Sequence, residues 1–309
     1  MPVLAMKQKK KKKKNNTMKK YQIIQLPKIS DPRGNLSFFE SGKLIPFDIQ
    51  RVHWIYDVPG GEERGGVAYE HTEEFVVAMS GSFDVVLNDG KGKQIISLNR
   101  SYNGVYIPRG VWRELTNYSS NSVALIAAST NYDPNEGIRD YDEFVAKIKQ
   151  GGFANSQLIS VNKARILSIK KNFVFDCGII ELDKHHSIKK GNLSVVENGK
   201  TLPFDINRIY YLYDVPGGED RGGHAHKGLW QLIVAASGSF TVTLNDGQVK
   251  RSFVLNRPYQ GLLVAPGIWR DLTDFSSGSV CMVLASEKYD EEDYIREYQK
   301  YVDYRKKLK

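Results

Sequence analysis

The segment PFDIQRVHWIYDVPGGEERGG, beginning at Pro46, returns as PFDINRIYYLYDVPGGEDRGG, beginning at Pro203, an offset of 157 residues. A repeat of this length constrains the architecture before any single residue is read, because each copy has to carry the same structural unit. The match continues at the same offset: Gly81-Ser82-Phe83 pairs with Gly238-Ser239-Phe240, Leu87-Asn88-Asp89-Gly90 with Leu244-Asn245-Asp246-Gly247, and Trp112-Arg113 with Trp269-Arg270. Two complete domains are therefore expected, over 18–150 and 164–309, joined by 151–163. At 309 residues the chain is long enough for both to bury a core without a metal or a disulfide as a staple.

The net charge of +9 raises the question of a nucleic-acid partner. Lys7, the run Lys9 to Lys14, Lys19 and Lys20 supply nearly all of that excess, and elsewhere acids and bases nearly balance. The basic run reads either as an arm for phosphates or as a disordered leader. No aromatic residue interleaves with the lysines as a base-stacking surface requires, so residues 1–17 are expected to be a leader, with no nucleic acid bound. The two cysteines, Cys177 and Cys281, form no CxxC pair and no disulfide framework, which fits a reducing compartment. No stretch approaches the roughly 20 apolar residues of a membrane span, and no apolar segment follows the basic run. A cytoplasmic protein with no membrane partner is expected.

Within each copy the segments are short, rich in β-branched and aromatic residues, and separated by turn residues, with Asn245-Asp246-Gly247 a tight hairpin signal. Tyr210 to Val215, Leu229 to Ala235, Phe240 to Leu244, Arg251 to Leu255 and Val280 to Ala285 read as strands, spaced as in a sandwich or barrel rather than in βαβ units. Each copy ends in a charged, tyrosine-rich segment, Tyr141 to Lys149 and Tyr289 to Lys307, expected to be helical. The fold class is all-β.

In the second copy Gly218 is followed by His224-Ala225-His226, then Gln231, then Gly238, the spacing of the first cupin motif. Two tandem cupin-type jelly-roll barrels are expected. Residues two apart on a strand share a face, so both imidazoles can point into the barrel. A metal-binding cupin adds a glutamate and a later histidine, but Gln231 stands at the glutamate position and the second motif passes through Pro266 and Gly267 to Trp269-Arg270 without a histidine. An amide and a guanidinium are poor ligands for a cation, so a tightly held metal is not expected. The flanking Arg221 and Lys227 point to an anionic ligand, and imidazole is the side chain suited to move protons near neutral pH.

Arg208-Ile209-Tyr210-Tyr211, Arg221-Gly222-Gly223-His224-Ala225-His226-Lys227, Val283 to Ser286 and Tyr289 to Arg296 together resemble the dTDP-4-keto-6-deoxyglucose 3,4-ketoisomerase family, the WxcM-like cupins. The resemblance covers almost all of the second copy and the framework of the first. It implies a cofactor-free isomerisation that moves the ketone of a dTDP-linked 4-keto-6-deoxyhexose from C4 to C3. On that reading His226 is assigned as the base and His224 as its partner in proton relay or oxyanion stabilisation, an order the sequence does not fix, with Tyr210 or Tyr211 completing the proton shuttle. Arg221, Arg208 and Lys227 would hold the diphosphate, and Gln231, Trp269 and Arg270 complete the expected binding set. Arg208 also reads as an ordinary surface cation, and Trp269 as core.

The first copy departs from this pattern: Val67 and Tyr69 stand where His224 and His226 would fall, and Glu70, Glu73 and Glu74 would repel a diphosphate. It is expected to be non-catalytic. Yet only the first copy carries Asp31-Pro32-Arg33-Gly34, which resembles the family's DxRG arm; the second has Ile188-Lys189-Lys190-Gly191. Family members are commonly dimers that exchange N-terminal strands, so the two copies are expected to pair as an intramolecular pseudo-dimer in which Arg33 reaches the second copy's site, with further oligomerisation left open. Two other readings compete, a 3,5-epimerase of the same substrate class and a sugar-binding cupin without turnover.

Overall fold

A computed structural model describes residues 21–153 and 171–308; the expected leader at 1–17 and residues 154–163 of the expected joint lie outside the described residues. Each repeat folds as a cupin-type jelly roll of two facing sheets, one of seven strands and one of five. Glu74–Ser80 and Val123–Ala128 in the first repeat, and Gln231–Ser237 and Val280–Ala285 in the second, are apolar and buried along nearly their whole length, so they occupy sheet centres. Gly90 and Gly247, both with positive φ, close the two Asn-Asp-Gly hairpins as the sequence requires. Among the described residues no helix is long and apolar enough to cross a membrane.

The seven-stranded sheets are built jointly by the two repeats. Strand Arg208–Tyr213 pairs with Val280–Ala285 on one side and with Gly34–Glu40, from the first repeat, on the other. Reciprocally, Arg51–Tyr56 pairs with Val123–Ala128 and with Gly191–Glu197 from the second. The polar contacts along these joints obey the repeat offset. Ser37 and Tyr213 share a hydrogen bond of 3.1 Å, as do Ser194 and Tyr56; Asn35 donates to Asp214 at 3.0 Å, and Asn192 to Asp57 at 2.9 Å. The chain thus has an internal approximate twofold, with each barrel borrowing a strand pair from the other repeat. An apolar cluster crosses the joint, with Phe39 and Trp54 of the first repeat packed among Phe204, Tyr211 and Met282 of the second. Gly34 sits where the borrowed hairpin crosses Val215, and an added Cβ would lie 2.9 Å from the Val215 Cα, so no larger residue fits.

The first helix spans Tyr141–Lys149 as expected, started by Asp140, whose side chain accepts from the Glu143 amide. The second expectation fails in part. Tyr289 to Lys307 is not one helix: a 3-10 turn at Glu291–Asp293 and a short strand at Tyr294–Ile295 precede the helix Tyr298–Lys307. Ile295 buries itself beside Ala225 and Trp269 while Tyr294 pairs with His226, and these tertiary contacts override the local pattern.

Candidate active site

Strand Arg221–His226 carries both histidines on the inner wall of the second barrel, and a shift in register between Gly222 and His224 turns the strand at that point. The two imidazoles meet edge to face with centroids 5.0 Å apart, and Tyr294 stands against both, 5.1 Å from His224 and 4.2 Å from His226. Beside them opens a cavity of about 380 Å³. His224 and Tyr210 line it, as do Arg208, Arg221, Arg270 and Arg296, together with Arg33, Leu36 and Phe38 from the first repeat's borrowed strands.

The hydrogen bonds assign the tautomers. His224 Nδ1 lies 3.1 Å from the Gly222 carbonyl, which can only accept, so Nδ1 carries the proton and Nε2 keeps its lone pair. Burial, followed by the nearby Arg270, pushes the His224 pKa well below the usual 6.5, so this imidazole is neutral at neutral pH. His226 Nδ1 lies 2.7 Å from Asp293 Oδ2, and the other oxygen of that carboxylate accepts from the Gly228 amide at 2.7 Å. The Nε2 atoms of both rings are buried without a partner. Gln231 Nε2 donates to the Tyr210 hydroxyl oxygen at 2.6 Å, which leaves the phenolic hydrogen free to point into the cavity. Burial raises the Tyr210 pKa, so it remains a donor.

The cationic wall is only partly neutralised. Arg208 is 3% exposed with an unpartnered Nε, and Arg270 is 3% exposed with one unpartnered Nη. Arg208 is therefore no surface cation. Its guanidinium stacks between Tyr210 and Tyr289, 5.3 and 5.6 Å from the ring centres. Arg221 reaches Asp31 of the borrowed hairpin at 3.2 Å, and Arg33 pairs with the same carboxylate at 3.0 Å. Buried guanidiniums without a full complement of acceptors favour an anion in the space between them.

Several expected site residues lie elsewhere. Tyr211 is fully buried at the joint between repeats, where its hydroxyl donates to the Ser101 carbonyl, because its side chain points to the sheet face opposite Tyr210. Trp269 packs on Tyr298 and Tyr301 of the last helix and bonds Asp271, so it is core. Lys227 is exposed, donates to the Glu292 carbonyl and does not line the cavity. Gln231 stands one shell back, holding Tyr210. Of the two histidines His224 lines the cavity, whereas His226 is 1% exposed and sits behind it. The residues that sequence reasoning left without a role are Asp293, Tyr294, Tyr289 and Arg296. Asp293 lies 67 positions after its histidine, and nothing in local spacing links the two; the only available signal was that all four fall within the Tyr289 to Arg296 run.

The WxcM-like, C-terminal family matches the chain twice, over residues 19–149 and 175–306. Over 119 residues the chain is 46% identical to the TDP-4-oxo-6-deoxy-alpha-D-glucose-3,4-oxoisomerase of Aneurinibacillus thermoaerophilus, a stretch covering 38% of this chain and 86% of that protein. Among solved structures, a 3,4-ketoisomerase from Helicobacter canadensis is 40% identical with a TM-score of 0.41, covering 42% of this chain and 98% of that one. A sugar 3,4-ketoisomerase from Thermoanaerobacterium thermosaccharolyticum, solved in complex with TDP, is 38% identical with a TM-score of 0.42, covering 44% of this chain and 98% of that one.

Proposed function

The chain belongs to the WxcM-like, C-terminal family through both of its repeats, and from that premise we propose that it is a nucleotide-sugar 3,4-ketoisomerase acting on a TDP-linked 4-keto-6-deoxyhexose at the second repeat's cavity. The observation that carries this reading is a neutral imidazole, His224, with an unoccupied Nε2 lone pair on the wall of an arginine-lined cavity, beside the Tyr210 hydroxyl.

The hydrogen on C3 of such a sugar is acidified by the neighbouring C4 ketone. His224 Nε2 removes it, and the electron pair of the broken C3–H bond forms the C3–C4 double bond of an enediolate. The Arg270 guanidinium and the Tyr210 hydroxyl line the cavity beside His224 and serve on this reading to stabilise the charge that develops on the enediolate oxygen. Reprotonation at C4 forms the new C4–H bond, and transfer of the hydroxyl proton from O3 to O4 leaves the ketone at C3. Atoms and electrons balance without an external oxidant, and the reading calls for no cofactor. His226, oriented by Asp293, supports the proton relay from behind His224. Arg221, Arg208 and the first repeat's Arg33 supply positive charge for the diphosphate. The active unit is then a single chain, whose two repeats form the pseudo-dimer.

A 3,5-epimerase remains the second reading because Asp293 gives His226 the carboxylate partner such an enzyme uses. Incubation with TDP-4-keto-6-deoxyglucose in deuterated water separates the two by NMR. Deuterium at C4 with a ketone at C3 is the expected result. Label at C5, or retention of the C4 ketone, sinks the ketoisomerase assignment.

A further inference from the structure

The first repeat encloses a cavity of its own, about 570 Å³ in volume, between Arg64–Tyr69 and the hairpin borrowed from the second repeat. Set against the catalytic cavity at the repeat offset, its changes fall on one side of the chemistry. The positions of His224, His226 and Tyr294 hold Val67, Tyr69 and Gly137, so nothing there can act as that proton-transfer pair. The positions of Arg208, Arg221, Arg270 and Arg296 hold Arg51, Arg64, Arg113 and Arg139, and that of Arg33 holds Lys190. The proton machinery is gone while the cationic wall is intact.

One of these cations is fully accounted for. Arg113 forms a two-pronged ion pair with buried Glu74, at 2.7 and 2.9 Å. Arg51 is not: it is 3% exposed, its Nε is buried without a partner, and its guanidinium stacks over Tyr132 at 5.5 Å. Among the described residues no carboxylate forms an ion pair with Arg51, Arg64, Arg139 or Lys190. Two acids also line the cavity: Glu197 is engaged by Lys200 and by the Tyr132 amide, and Asp183 is exposed and forms no ion pair with these cations. A guanidinium held out of water without a counterion costs several kcal/mol. Arg51 is held in this way, and half-buried Arg64 with the exposed Arg139 and Lys190 converge on the same cavity without an ion-pair partner, an arrangement that a bound anion would stabilise. His53, at the position of Tyr210, adds a buried imidazole that burial and the surrounding arginines keep neutral, a donor or acceptor for a polar ligand without added charge.

We infer that the first repeat's cavity is a second, non-catalytic binding site for a nucleoside diphosphate. The volume falls within the range of small-ligand pockets, and the unpaired cations match the charge of a pyrophosphate group. Because its wall comes from the second repeat's Asp183–Ser187 and Gly191–Glu197, the site exists only in the paired chain. The inference rests on the ketoisomerase reading only in the choice of thymidine diphosphate as the probe.

Calorimetric titration of the full chain with thymidine diphosphate tests it. Two sites per chain are expected. The double variant Arg64→Gln/Lys190→Gln alters a half-buried and an exposed side chain away from the catalytic cavity, so folding and turnover should be kept while one of the two sites weakens at least tenfold. Arg221→Gln should weaken the other site and leave this one. A single site per chain that persists in the double variant and is lost in Arg221→Gln overturns the inference, as does the absence of any binding. Turnover followed separately by NMR reports on the ketoisomerase reading, so the two can fail independently.

Discussion

Two imidazoles on one strand differ here because of what their Nδ1 atoms touch. The Gly222 carbonyl fixes the tautomer of His224, which burial and Arg270 keep neutral on the cavity wall, whereas the Asp293 carboxylate backs His226. His224→Asn fills the same space but cannot accept the C3 proton, so kcat should fall by about 10²–10⁴-fold with the fold unchanged by circular dichroism. Wild-type turnover in that variant would falsify the assignment. The pH dependence follows from burial. A histidine whose folded pKa lies below 6.5 stays neutral there, so the acidic limb of kcat/KM should fall below pH 6.5 rather than at it. The sign carries over to stability: the unfolded chain takes up this proton more readily, so the contribution is full above pH 6.5 and declines as pH falls below that value. The pair itself was legible from the HAH spacing, but which ring lines the cavity was not, since a strand register shift and a distant carboxylate decide it.

The strand pair Lys28–Asp31 and Gly34–Glu40 is the element that makes the catalytic cavity composite. Its register against Arg208–Tyr213 places Leu36 opposite Leu212 and Phe38 opposite Tyr210, and the turn between its strands delivers Asp31 and Arg33 to Arg221. The DPRG string made this arm visible in the sequence because its loss in the other repeat was one-sided. Its partner element, Tyr294–Ile295, was hidden within a segment that reads as helix, since two residues of strand have no period of their own. Arg33→Ala should weaken thymidine diphosphate binding at the catalytic cavity. A charge-assisted hydrogen bond contributes about 1.5–3 kcal/mol, and a side chain 54% exposed belongs at the low end, so a loss of about tenfold in Kd is expected. Unchanged affinity would remove the arm from the site.

Across the whole molecule the repeat dictated two similar barrels, yet the offset alone could not say that they would share sheets, because the same strands could close within one copy. The sharing has a thermodynamic consequence. Phe39 belongs to the first repeat by sequence, but its strand is hydrogen-bonded to the second repeat's Arg208–Tyr213, and its ring is fully buried, edge to face with Phe75 at 5.0 Å. It lies in the cluster that also holds Tyr211 and Met282, so neither barrel can lose its core without exposing the other. The chain should therefore melt in one calorimetric transition, with equal calorimetric and van't Hoff enthalpies, rather than in two. Phe39→Ala removes a large buried ring and should cost about 3–5 kcal/mol. That loss should move the whole transition, and with it the thermal inactivation of a catalytic centre whose histidines lie entirely in the other repeat. A second transition that keeps its midpoint in Phe39→Ala would show that the barrels unfold separately, and that the shared sheets join them without coupling them.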